Sequence, residues 1–173
     1  MPPRYFPDLP FPQERYLPGK TIHPRKQAIP SPYESLLKMD PFAYPWWKHP
    51  SFYYGIDLFN QEFWWESHEC WESLWIHLEN PEKNFLQMLI QMSACCLTKI
   101  LNRESGTKSL KLLVGQRFQK HHSFPSAHSG GIVVSRVYSQ FLDHIEANGP
   151  PPIIELIPEE NGPQSKPDEG DRL

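Results

Sequence analysis

The chain has 173 residues and a formal net charge of −3, a size that fits one domain and a charge that excludes the strongly basic balance of a nucleic-acid-binding protein. Its three cysteines are an odd number without the spacing of a disulfide framework or a zinc–thiolate site, which indicates reduced thiols. No apolar leader and no run of about 18 apolar residues occurs. We therefore expect a cytoplasmic protein with no nucleic-acid and no membrane partner.

Prolines divide the chain into three parts. Twelve of the 20 prolines lie in residues 1–50 and six lie in residues 148–173. Because proline lacks the N–H that a helix interior needs, we expect the helical domain over residues 51–147. Residues 1–50 are rich in aromatic residues as well as proline, and disordered segments are poor in them, so we expect an extended arm packed on the core. Residues 148–173 are predicted as an extended Pro-rich segment and, from about Glu159, an acidic disordered tail.

Apolar residues at helical spacing predict four main helices, over about residues 53–78, 82–102, 107–121 and 132–147. The second is apolar on almost every side, which is typical of a central buried helix. Ser105 and Gly106 are predicted to separate it from the third. No pattern of strand alternation appears, so the fold class is all-α, a compact array of about four antiparallel helices.

The first predicted helix carries the residues best suited to chemistry. His68 and Glu72 are four residues apart and Glu69 lies between them, so all three side chains project from neighbouring positions on one helix. An imidazole and a carboxylate at this spacing are candidate ligands for a divalent metal, with His68 and Glu72 as the first pair and His23 as a candidate third ligand. The arm and loop histidines His121, His122 and His128 are further candidates. The pattern His-Glu-x-x-Glu differs from the zincin motif, which has a second histidine.

Two other interpretations of this cluster stay open. The first is an acid–base pocket for a small polar ligand, with His68, Glu69 and Glu72 as candidate catalytic residues and with Trp64, Trp75, Gln87 and Gln91 as candidate ligand-binding residues. The second is a buried polar network that fixes helix packing in a structural or protein-interaction module. In that module the working surface is formed by Tyr44, Trp46 and Trp47 of the arm, for a protein partner or a homo-oligomer. Glu62 and Glu66 are predicted to face water.

These residues resemble the signature of a known family, domain of unknown function 309. The resemblance is carried by three motifs in order: Leu58, Phe59, Asn60, Phe63, Trp64, Ser67, His68, Glu69, Glu72 and Trp75; then Phe85, Leu86, Gln87, Leu89, Ile90, Gln91 and Ala94; then Asn102 and Gly106. Ser67 replaces an alanine that is usual in the family, and Met88 replaces a glycine. Residues 16–24 are similar to an arm of some bacterial members. The resemblance implies a small all-α fold with a site at the His-Glu motif, and it implies no particular reaction.

Overall fold

The computed structural model describes residues 2–122 and 129–157, and this part of the chain is all-α. Six helices follow one another: α1 (Glu34–Leu37), α2 (Pro50–Asn60), α3 (Trp64–Trp75), α4 (Glu82–Ile100), α5 (Glu104–His122) and α6 (Val134–Ala147). Short 3-10 helices occur at Pro24–Lys26 and Trp46–Lys48. None of the described helices has the length and apolar character needed to cross a membrane. The predicted all-α class is confirmed, and the predicted acidic tail lies outside the described residues.

The predicted first helix is in fact two helices, α2 and α3, which fold back on each other. Between them Glu62 adopts a φ of 63°, in the left-handed region that breaks a helix. The indole Nε1 of Trp71 donates to the carbonyl of Phe52 at 3.2 Å, so the later part of α3 lies against the start of α2. The prediction of one continuous helix is wrong because the break lets α2 and α3 bury two separate apolar faces in the same core.

Gly55 permits the close contact between α2 and α3. The Trp71 indole occupies the position that a side chain on residue 55 would fill, so the ring packs directly on the α2 backbone. The same contact places Trp71 and Phe52 in the centre of the core, where neither is exposed. A glycine in mid-helix lowers helix propensity by roughly 1 kcal/mol relative to alanine, and here the packed indole is the compensation.

α4 is the central buried helix, as predicted, and its neighbours run antiparallel to it. Ser67 and Ser93 join α3 to α4 through their hydroxyls at 2.9 Å. On the α5 side, Arg117 Nε donates to Gln91 Oε1 at 2.9 Å, and Thr107 Oγ1 donates to Thr98 Oγ1 at 3.0 Å. Thr98 near the end of α4 thus meets the start of α5, and Gln91, midway along α4, meets Arg117 further along α5, which is the pattern of a helical hairpin.

α5 and α6 complete the array. α5 begins at Glu104, so Ser105 and Gly106 lie inside the helix and the predicted break is misplaced. Asn102, with a φ of 54°, reverses the chain instead, because asparagine tolerates the left-handed region. α6 packs antiparallel to α5, since Phe118 stacks on Tyr138 at 3.9 Å between centroids and Lys111, earlier in α5, pairs with Glu146, later in α6, at 3.0 Å.

The arm lies on α2 and α3 and is held by buried polar groups. Asp57 on α2 is buried, and its carboxylate accepts from Tyr5 N at 2.7 Å, from Phe6 N at 2.9 Å and from Arg4 Nε at 3.0 Å. Tyr54 donates its hydroxyl to the carbonyl of Pro10 at 2.6 Å. Because these contacts replace water on a buried helix face, the arm contributes to the core.

The segment after α6 docks on the same helices. The side-chain amide of Asn60 pairs with both backbone groups of Ile154, accepting from its N–H at 2.7 Å and donating to its carbonyl at 2.8 Å. Leu156 N donates to the hydroxyl of Tyr5 at 2.8 Å, which ties this segment to the arm. Both ends of the described chain therefore meet beside α2.

Candidate functional site

His68, Glu69 and Glu72 form one compact cluster on α3. One ligand atom from each side chain lies within 4.8 Å of the other two. The helix explains this, because Glu72 lies about one turn beyond both His68 and Glu69. His68 and Glu69 are half-buried and Glu72 is exposed, so the cluster is open to solvent at Glu72. In the described ranges no other group of three or more His, Cys, Asp or Glu ligand atoms is this close.

The two nitrogens of the His68 imidazole differ in their surroundings. Nδ1 is buried, lies 3.4 Å from Glu69 Oε1 and has no hydrogen-bond partner of normal geometry among residues 2–122 and 129–157. The side chain as a whole is 26% exposed, so the solvent-facing part of the ring is on the other side. Glu69 is therefore a close neighbour of Nδ1 without a hydrogen bond to it, and Nε2 is the nitrogen left to bind an ion. A carboxylate behind the second nitrogen is a common feature of metal-binding histidines.

Aromatic rings flank the cluster along α3. Trp65 lies one turn before His68, and the two rings are nearly parallel, with centroids 6.1 Å apart and planes at 18°. Trp75 lies one turn after Glu72 and is half-buried, with Lys83 Nζ 5.0 Å from its ring centroid. The cluster is therefore bounded by an indole at each end of the helix segment that carries it.

The other predicted ligand-binding residues are Trp64 on α3 and Gln87 and Gln91 on α4. Trp64 is 2% exposed and meets Phe59 edge-on at 4.9 Å, so it is a core residue. Gln87 is half-buried on α4. Gln91 turns its carbonyl toward α5, where Arg117 Nε donates to it, and the expected pairing of Gln91 with the His68 side of α3 is absent from the described contacts. Trp75 stays a candidate wall of the ligand site, because it is half-buried on α3 one turn after Glu72.

His23 and His121, the two candidate histidine ligands outside α3 whose side chains are described, do not join the three-residue group. His23 lies in the arm, where its Nδ1 accepts from the N–H of Arg25 at 3.2 Å and its ring meets Trp65 at 6.0 Å between centroids. His121 is buried on α5 against Phe85, with ring centroids 5.1 Å apart. His128 and the side chain of His122 lie outside the described residues.

Glu66 is a buried carboxyl group on α3 that the sequence did not indicate. It is 1% exposed, and its Oε1 accepts from the backbone N–H of Tyr16 at 2.7 Å. Oε2 is buried and has no hydrogen-bond partner in the described part of the chain. Burial raises the pKa of Glu66 to about 7, against the opposing effect of the Tyr16 amide. The prediction that Glu66 faces water is wrong, because the arm covers this side of α3.

Burial also decides the reactivity of the neighbouring thiol and phenols. Cys70 is buried, and loss of solvation raises the pKa of its thiol well above the ordinary value. Tyr33 and Tyr54 share this apolar region, and burial likewise raises the pKa of each hydroxyl. A thiol kept protonated is a poor nucleophile, so Cys70 is a packing residue.

Comparison with known proteins identifies the domain that carries the cluster. A comparison with curated proteins gave no match, and a comparison with solved structures gave none. One family model matches residues 52–110, a range that contains α3 and α4 and most of α2, and its description is "Domain of unknown function (DUF309)". The matched range includes His68, Glu69 and Glu72, and it excludes the arm and α6. Residues 52–110, which carry the cluster, are therefore similar to the DUF309 family.

Proposed function

We propose that the protein binds a divalent transition-metal ion through His68, Glu69 and Glu72. The observation that carries this proposal is the approach of one nitrogen and two carboxylate oxygens to within 4.8 Å of one another on a single helix. Imidazole suits zinc and other transition metals, and carboxylates suit manganese and zinc. The exposed side of Glu72 leaves room for water in the remaining coordination positions, as in sites where a metal activates a bound water.

The separations of the ligand atoms are compatible with a small adjustment on binding. Zinc lies about 2.0–2.2 Å from nitrogen and oxygen ligands, so two ligands of one ion are at most about 4.4 Å apart. The ligand atoms of the cluster are up to 4.8 Å apart, slightly more than two ligands of one zinc ion. A small rotation of the exposed Glu72 side chain would bring its oxygen close enough. Glu69 has two ways to contribute, either as a third ligand or as the carboxylate that orients the His68 Nδ1 proton.

Isothermal titration calorimetry with zinc chloride tests this proposal. We expect stoichiometric binding to the full chain and a loss of affinity of at least about tenfold in His68→Ala and in Glu72→Gln, because each removes a ligand. Glu79→Gln is the matched control, since Glu79 is exposed and lies outside the cluster. Absence of zinc binding to the wild-type protein, or equal affinities in all four proteins, contradicts the proposal.

A second candidate function is favoured by an exposed aromatic groove at the C-terminal end of α3. The groove holds about 420 Å³ and is lined by Pro41, Phe42, Ala43, Tyr44, Pro45, Trp46, Trp47, Leu74, His77 and Leu78. Phe42 is 73% exposed, Tyr44 47% and Trp47 40%, whereas Trp46 is buried. Grooves of this composition recognise proline-rich segments in the polyproline II conformation. This supports the interaction module, with Tyr44 and Trp47 at the surface and Trp46 beneath them.

An oligoproline peptide is a direct probe of the groove. We expect it to shift the indole N–H resonance of Trp47 in a titration followed by nuclear magnetic resonance, while the indole N–H of Trp65 stays in place. Trp47→Ala should remove the binding. A titration in which no groove resonance moves argues against this second function and leaves the zinc measurement unaffected.

A further inference from the structure

The arm reaches the His68 cluster through a row of aromatic rings. The Tyr16 ring meets Trp65 edge-on, with centroids 4.9 Å apart and planes at 79°. His23 lies against both rings, 4.9 Å from Tyr16 and 6.0 Å from Trp65. Trp65 in turn lies almost parallel to His68 at 6.1 Å. The Trp65 indole is therefore held between the arm on one side and the His68 imidazole on the other.

Hydrogen bonds fix the backbone from which these arm side chains project. The N–H of Tyr16 donates to the buried Glu66 at 2.7 Å. The next residue, Leu17, donates its N–H to Thr21 Oγ1 at 2.8 Å, and the N–H of Thr21 returns to the carbonyl of Leu17 at 3.0 Å. Tyr16 and His23 thus flank a closed turn, and the Tyr16 amide anchors this segment on α3 at Glu66, two residues before His68.

We propose that Tyr16 and His23 are positioning residues that orient the His68 imidazole through Trp65. This inference rests on the proposed metal site and extends that site beyond residues 52–110. A metal-binding imidazole must present one nitrogen in one direction, and groups behind the ligand commonly set that direction. Here the face of Trp65 restricts ring rotation of His68 on one side, and Glu69 faces Nδ1 on another. His23 therefore acts through Trp65 and is not itself a ligand.

Substitution of the arm rings, followed by two readouts, tests the inference. We expect Tyr16→Leu to move the Hε1 proton resonance of His68 in the absence of metal, because the ring current of Trp65 on that proton changes. We also expect it to lower zinc affinity about tenfold. Tyr16→Phe keeps the edge contact and should restore both values. Phe11→Leu is the matched control, because Phe11 packs in the arm against Phe63 at 5.7 Å, away from Trp65.

The outcomes separate this inference from the proposed function. If the His68 Hε1 resonance does not move in Tyr16→Leu, the positioning role is overturned at any zinc affinity. It is also overturned if that resonance moves and the zinc affinity is unchanged. If zinc does not bind the wild-type chain, the proposed function is overturned. The positioning of the His68 ring is still tested in that case, because the Hε1 resonance is measured without metal. Should Tyr16→Leu fail to fold, His23→Leu removes a ring from the same row and is held to the same two readouts.

Discussion

Replacing Asp57 by alanine is expected to lower the free energy of unfolding by about 3–5 kcal/mol, the largest effect of any single substitution considered for this chain. The Asp57 carboxylate is buried on α2 and accepts from two backbone N–H groups and from the Arg4 guanidinium. Alanine leaves two partly buried N–H groups and the Arg4 guanidinium without this buried acceptor, and a donor that loses its acceptor on folding is costly. The arm should then detach at its first residues.

Urea unfolding followed by tryptophan fluorescence measures this loss, and limited proteolysis between residues 2 and 12 reports detachment of the arm. Asp8→Ala is the matched control, because Asp8 is an exposed acid in the same segment. We expect the control to change stability by less than about 0.5 kcal/mol, as is usual for surface substitutions. A similar small change in Asp57→Ala would show that the arm is not part of the core.

The stability of the protein is expected to fall between pH 5 and pH 8 because of Glu66. Burial raises its pKa from 4.5 to about 7, so the folded state holds a proton that the unfolded state releases between these values. The stabilisation is fully present below pH 4.5 and is lost as the pH rises through about 7. The shift corresponds to about 2–3 kcal/mol across this window.

Glu66→Gln should abolish most of this pH dependence. Glutamine keeps an oxygen for the Tyr16 N–H and carries no charge, so the variant should be more stable than wild type at pH 8 and close to it at pH 5. Urea unfolding at several pH values measures the free energy of unfolding of the variant and of the wild type. Glu62→Gln is the control, since Glu62 makes a partly exposed pair with Arg15 at 3.4 Å. A stability difference between Glu66→Gln and wild type that stays constant with pH would contradict the assignment.

The parts of the fold that local pattern determines were predicted well. The buried helix α4 follows from apolar residues on nearly every side, and α6 follows from the spacing of Val137, Phe141 and their neighbours. The break between α2 and α3 was not predicted, because both sides of it are apolar at helical spacing. The two helices are then held together by the contact between Trp71 and Gly55, which depends on the packed structure.

The same distinction applies to the site. The grouping of His68, Glu69 and Glu72 could be predicted, because one helix sets their spacing. The burial of Glu66 and the row from Tyr16 to Trp65 could not, because they join residues about 50 positions apart in the chain. The dense aromatic content of the arm was the one available signal, and it indicated packing without giving the contact.

The most direct test of the metal site is a two-dimensional ¹H–¹⁵N spectrum of the histidine side chains during a zinc titration. We predict that the Nε2 resonance of His68 moves to the metal-bound range with one equivalent of zinc. Nδ1 should stay protonated beside Glu69, and the exposed His77 should not respond. An unchanged His68 Nε2 resonance at saturating zinc, or a response confined to other histidines, would contradict the proposed site.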